Sequence, residues 1–166
     1  MDEMAGRDTS DPLQLTSLPA LFLDLVASGY GNVIPAERCA DDCLILVHAY
    51  AQLGIAAQVR AVELVVTRAS AGQRVTHGTL APWWEDGMLH GHTVVWIPAL
   101  GHLVDVTAEQ YDEIAACHGG PVIAASPASA GRDDIQQVEI RRGDPLLTYT
   151  LAPATVTAAL PDRPHG

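Results

Sequence analysis

The sequence predicts an α+β fold with N-terminal helices packed on an antiparallel sheet. Two stretches, residues 13–27 and 37–55, carry helical patterning. After residue 57 the chain is a series of short apolar runs rich in Val, Ile and Thr. Gly, Pro and polar residues separate those runs, as in strands joined by tight turns.

Residues 1–11 are polar and acidic and are predicted to be disordered. Leu18, Leu21, Phe22, Leu25 and Val26 cluster in the first helix, which Ser28-Gly29 ends. Residues 30–35 form a loop that closes on Pro35. The second helix has Cys39 in its first turn. Leu44, Val47, Ala51 and Gly54 recur at three- and four-residue steps, with Leu46, Tyr50 and Leu53 beside them. Most of its circumference is therefore apolar, which assigns the whole helix, His48 included, to the interior. Asp41 and Asp42 read as first-turn acids that favour the helix dipole, and Gly54 supplies the stop.

Residues 57–67, with Val59, Val62, Leu64, Val65 and Val66, form the first strand. Residues 69–89 are a long polar stretch around Trp83-Trp84, predicted to be a functional loop. Its two tryptophans either wall a substrate cleft or cap the core. Strands at 91–98 and 102–106 turn at Leu100-Gly101, and Thr107 with Gln110 three residues on has the form of a capping box. A short strand at 121–125, a loop at 126–134 and a hairpin of 138–142 with 146–151 complete a single domain over residues 12–152. Residues 153–166 are expected to be a loose tail in which 156–160 could dock.

At 166 residues the chain is long enough for one domain with a substantial core. A formal net charge of −11 argues against nucleic acid or an anionic membrane as partner. No apolar run reaches the roughly 18–20 residues of a spanning helix, and the N-terminus lacks the basic-then-apolar order of a secretory signal. Three cysteines, an odd number without a secretory context, predict free thiols in a cytoplasmic protein.

The chemistry converges on three residues. At a helix N-terminus, unpaired backbone N–H groups stabilise a thiolate at Cys39 and Arg38 adds positive charge, whereas Asp41 and Asp42 oppose it. His92 begins one strand and Asp105 ends the next. In a hairpin turning near Leu100-Gly101 they lie opposite, or nearly so, on one face. A carboxylate against an imidazole fixes its tautomer, and the imidazole can take a proton from a thiol facing it across the helix–sheet interface. This is a Cys-His-Asp triad. An oxyanion hole would use the Cys39 N–H and a second donor, for which upstream Tyr30 and Asn32 are candidates.

Cys39, the apolar helix after it and Leu53-Gly54-Ile55-Ala56-Ala57 resemble the transglutaminase-like core of the papain-like cysteine superfamily. Gly91-His92-Thr93-Val94-Val95-Trp96, followed by Leu103-Val104-Asp105-Val106-Thr107, is similar to that family's His strand and Asp-x-Thr strand. The resemblance covers residues 30–112. It departs from the family at Ala56, where Pro is frequent, at Gln58, where Arg is frequent, and at Val94, a frequently aromatic position. It implies Cys39 as nucleophile, His92 as base and Asp105 as orienter, without cofactor or calcium. The implied activity is acyl transfer, or amide or thioester hydrolysis, on a small-molecule, peptide or carrier-bound acyl substrate. Two other readings stay open. One is an inactive transglutaminase-like binding domain that uses the Trp83-Trp84 loop. The other is a zinc site of His90, His92 and His102, since His-x-His on a strand puts both rings on one face. Cys43, one turn inside the helix, reads as a small core residue, with His48 the nearest base for it. Cys117 beside His118 reads as incidental.

Overall fold

A computed structural model describes residues 39–115, 122–125 and 136–158. The expectations for residues 1–35, for Cys117-His118 and for the loop at 126–134 lie outside those residues. The fold is mixed helix and sheet, and every strand pair is antiparallel.

Helix α1 (Cys39–Gln52) ends as its sequence dictates. Gly54 is left-handed at φ 77°, which costs a residue without Cβ little. Ile55 N–H then reaches Tyr50 O and Gly54 N–H reaches Ala51 O, both at 3.0 Å, satisfying two of the last carbonyls. The helix is not buried all round. Its inward face is Cys39, Asp42, Cys43, Leu46 and Tyr50, while Leu44 and Ile45 are exposed, as is His48. The apolar side chains outnumber the positions the sheet can cover. Asp42, read as a first-turn acid that favours the helix dipole, is fully buried because it falls on the covered stripe.

The main sheet contains β1 (Gln58–Arg68), β2 (Gln73–Gly78), β5 (His92–Ile97), β6 (His102–Asp105), β7 (Val122–Ala125), β8 (Gln136–Arg141) and β9 (Pro145–Leu151). Their order is β7-β6-β5-β1-β9-β8. The end strands β7 and β8 approach each other, so the sheet nearly closes into a barrel. β1 is long enough to serve two partners on one edge: β5 along residues 58–62 and β2 along 63–68. On its other edge it pairs with β9 along 62–68.

Residues 69–89 are therefore not an irregular loop. A turn of 3₁₀ helix (Ala69–Ala71) leads into β2, and a separate two-stranded sheet, β3 (Trp83–Glu85) with β4 (Met88–His90), projects between β2 and β5. Strand β2 was hidden because Val75 is its one aliphatic residue and its alternate positions face solvent. The first turn of the supposed tail is also ordered: α2 (Ala154–Ala158) packs on β1, and Thr157 Oγ1 accepts the Ala61 N–H at 3.2 Å. Buried Arg60 reinforces that end, donating through Nε and Nη2 to Ala152 O at 2.8 and 2.5 Å.

Alternation divides the core in two. Val62, Leu64, Val94, Trp96, Leu103, Leu147, Tyr149 and Leu151 fill the inside of the near-barrel. Val95, Ile97, Val104 and Val106 face the other way and meet Cys43, Leu46 and Tyr50 of α1. β5 is buried along its whole length because both faces are covered.

Candidate active site

His92 is the first residue of β5 and Asp105 the last of β6. Val95 faces Val104 and Ile97 faces His102, and continuing that register sets Thr107 opposite His92. Asp105 is thus the diagonal neighbour two residues away on the same face, within reach of an imidazole. His92 Nε2 and Asp105 Oδ2 are 2.8 Å apart, and both side chains are fully buried. Both also share the face of Val94, Trp96 and Leu103, inside the near-barrel and away from the one α1 covers. The expected approach across the helix–sheet interface is therefore corrected, since α1 packs on the other face of β5. Cys39, at the first residue of α1, meets His92 at the first residue of β5, around the strand's end.

Asp105 is bound on both oxygens. Oδ2 also accepts the Tyr149 hydroxyl at 2.8 Å, and Oδ1 accepts the Thr107 N–H at 3.2 Å. With Nε2 of His92 committed to Asp105, Nδ1 is the nitrogen left for the thiol. Burial pushes the Cys39 thiol up, but the hydrogen bond and charge of His92, helped by hydrogen bonds from Thr93, outweigh it and leave the pKa below the ordinary 9.0. Burial pulls His92 down, yet the charge and hydrogen bond of Asp105, with Cys39 behind them, raise it from 6.5 to about 10. The arrangement favours thiolate and imidazolium together. Of the first-turn acids, Asp42 adds to the upward push on Cys43.

Cys43 stays a thiol. Burial, above all, holds its pKa well above 9.0, and its S–H donates to Thr93 O at 3.4 Å. Exposed His48 is no base for this buried thiol.

Sequence reasoning missed four neighbours. Thr93 touches both thiols and Tyr149 holds the carboxylate. Tyr111 lies edge-on to His92 at 5.3 Å and stacks on His77 at 3.8 Å, while His77 bonds Glu113 at 3.3 Å. Gln110 makes no capping box, since Thr107 provides no side-chain cap to the 3₁₀ turn Ala108–Gln110. Its Nε2 instead lies 3.2 Å from His92 Nδ1 and 3.3 Å from Thr107 Oγ1. The Thr-x-x-Gln spacing was the available signal, and its partner was a side chain rather than the helix.

Trp83 and Trp84 sit on the β3–β4 hairpin. Trp83 is half exposed and stacks on His90 at 5.1 Å, and Glu85 bonds His90 at 3.2 Å. Among the described residues no hydrogen bond or ring contact joins either tryptophan to Cys39, His92 or Asp105. The zinc reading fails on position. His90 belongs to the hairpin, His92 to Asp105, and His102 pairs with Ile97 at the opposite end of β5, roughly 16 Å from His92 by strand rise. Among the described residues no group of three His, Cys, Asp or Glu side chains could hold a metal. No helix there is long and apolar enough to cross a membrane. Tyr30 and Asn32 lie outside the described residues. No protein-family model, curated protein or solved structure matches this chain.

Proposed function

We propose that the protein is a cysteine-dependent acyl-transfer enzyme or amidohydrolase of transglutaminase-like type, with Cys39 as nucleophile, His92 as proton carrier and Asp105 as orienter. The observation that carries this reading is the buried His92–Asp105 bond at 2.8 Å with the Cys39 thiol against the same imidazole. The Cys39 thiolate attacks the carbonyl carbon of an amide or thioester, and the carbonyl π pair moves onto oxygen. When that intermediate collapses, the bond to the leaving nitrogen or sulfur breaks and His92 supplies the leaving group's proton. The resulting thioester on Cys39 is attacked by water or an amine, which gives its proton to His92 as the thiolate departs. Either acceptor uses the same three residues.

The test is the pH dependence of iodoacetamide labelling, with the labelled cysteine located by mass spectrometry. Cys39 is expected to label rapidly below pH 7. In His92→Ala burial is no longer offset, so the labelling midpoint rises above that of an ordinary thiol. A Cys39 that labels no faster than an ordinary cysteine, with or without His92, overturns the reading. A second reading, a transglutaminase-like domain that binds without catalysis, has the exposed Trp83 and Met88 in its favour. It predicts no reactive thiol.

A further inference from the structure

The segment that follows Asp105 returns to the same imidazole. Asp105 holds Nε2 of His92, and five residues later Gln110 presents its amide nitrogen to Nδ1. The turn between them is fixed from within. Thr107 N–H bonds Asp105 Oδ1, Gln110 N–H bonds Thr107 O at 3.0 Å, and the second hydrogen of the Gln110 amide has Thr107 Oγ1 as acceptor. When His92 is neutral, both hydrogens of that NH₂ group therefore have a partner, one of them the Nδ1 lone pair. That lone pair is also the only site on His92 that can receive the Cys39 proton.

We infer that Gln110 is a positioning residue of this site: its carboxamide competes with the Cys39 thiol for Nδ1 of His92 and so sets the pH at which Cys39 becomes a nucleophile. An N–H that donates to Nδ1 stabilises the neutral imidazole and must give way before the thiol proton can move there. Gln110 is thus a restraint on the charged pair, and a substrate that displaces its amide releases the restraint. This regulation rests on the triad reading above. Among the described residues, the other titratable groups around His92 are Cys39 from α1 with Cys43 beside it, Asp105 from β6, Tyr149 from β9 through Asp105, Tyr111 on the ring edge, and Glu113 and His77 behind Tyr111. Substitutions at positions 107 and 110 leave all of them in place.

The test compares the pH profile of iodoacetamide labelling at Cys39 in wild type, Gln110→Leu, Thr107→Val and His92→Ala. Gln110→Leu removes the donor, so the midpoint moves down and the rate below the wild-type midpoint rises about threefold to tenfold, the worth of one hydrogen bond. Thr107→Val frees the amide to turn its oxygen toward Nδ1, where it accepts from the imidazolium, and shifts the profile the same way. An unmoved or raised midpoint in these variants, with melting temperature retained, overturns the inference. Should Gln110→Leu fail to fold, Thr107→Val decides alone. If wild-type labelling ignores His92→Ala, the triad reading falls and this one with it. If labelling depends on His92 but not on Gln110 or Thr107, only the inference about Gln110 falls.

Discussion

Asp105 is the residue on which the site's charge balance turns, since one buried carboxylate accepts from His92, Tyr149 and the Thr107 N–H. Asp105→Asn keeps the shape and removes the charge that raises His92. The His92 pKa then falls from about 10, and Cys39 labelling at pH 7 slows by roughly tenfold or more. The ring signals of His92 followed by NMR against pH check the first effect, and labelling rates check the second. An imidazole that still titrates near 10 would mean that Asp105 does not control it. Tyr149→Phe makes a different demand. It keeps the packing of a fully buried ring and deletes one hydrogen bond to a carboxylate, so urea denaturation is expected to show a loss of about 1.5–3 kcal/mol. The His92–Asp105 bond survives, and Cys39 labelling should keep its dependence on His92. A stability change within 0.5 kcal/mol, roughly that of an ordinary surface substitution, would show the hydroxyl to be dispensable. His92 and Asp105 were legible because hairpin register relates them through a short stretch of chain. Tyr149 was not, since in sequence it is only the middle of an alternating Leu147, Tyr149, Leu151 run, and closure of the sheet is what brings it to Asp105.

Among the elements, the junction of β2 and β5 places the imidazole. Both strands lie end to end along β1, Gly78 opposite Glu63 and His92 opposite Val62, and the β3–β4 hairpin leaves and returns through that gap. A Cβ on Gly78, held at φ +75°, would lie 2.4 Å from Val62 O and 2.9 Å from His92 Cβ. Gly78→Ala therefore meets backbone strain and overlap together, an expected cost of about 2–5 kcal/mol, with displacement of His92 and slower Cys39 labelling. Gly54→Ala is the control: its φ is +77° but nothing lies within 4 Å, so it should cost about 1–2 kcal/mol and leave the thiol's reactivity alone. Equal losses in both, by melting and by labelling, would show that the close approach at Gly78 is not what matters. Helix α1 carries a parallel contrast. Leu46→Ala empties a fully buried position and should cost about 2–5 kcal/mol, whereas Leu44→Ala on the exposed side should stay within about 0.5 kcal/mol. Both leucines belong to one apolar run, so the sequence could identify a helix but not the face it buries. Strand β2 stayed hidden for the opposite reason: nearly all its alternate positions are polar, and only pairing to the long, strongly patterned β1 makes it a strand.

At the scale of the molecule, a near-barrel with a thiol–imidazole pair sealed into one end ties that pair's protons to folding stability. The sign follows group by group. His92 is raised from 6.5 to about 10, so its contribution is full below 6.5 and is lost as pH climbs through 10. Cys39 is lowered from 9.0, so its contribution is full above 9.0 and is lost as pH falls through its folded value. Where both titrate, the slopes are equal and opposite, because the folded pair and the unfolded chain each hold one proton, on His92 in the first and on Cys39 in the second. Above pH 9.0 the cancellation ends: the unfolded chain has released that proton and the folded pair keeps it to about pH 10. The comparison that isolates this is wild type against the Cys39→Ala/His92→Gln double variant; Tyr50, Tyr111 and Tyr149 are raised above the ordinary 10 chiefly by burial, which both proteins retain. Unfolding free energies are read from urea titrations of both proteins at a series of pH values. Between pH 9 and 10 the wild type should fall more steeply, by up to about 1.4 kcal/mol per pH unit, the slope of one proton. Parallel curves to pH 10 would mean that folding leaves the pair's titration unchanged, and the coupling of Cys39 to His92 would be lost with it.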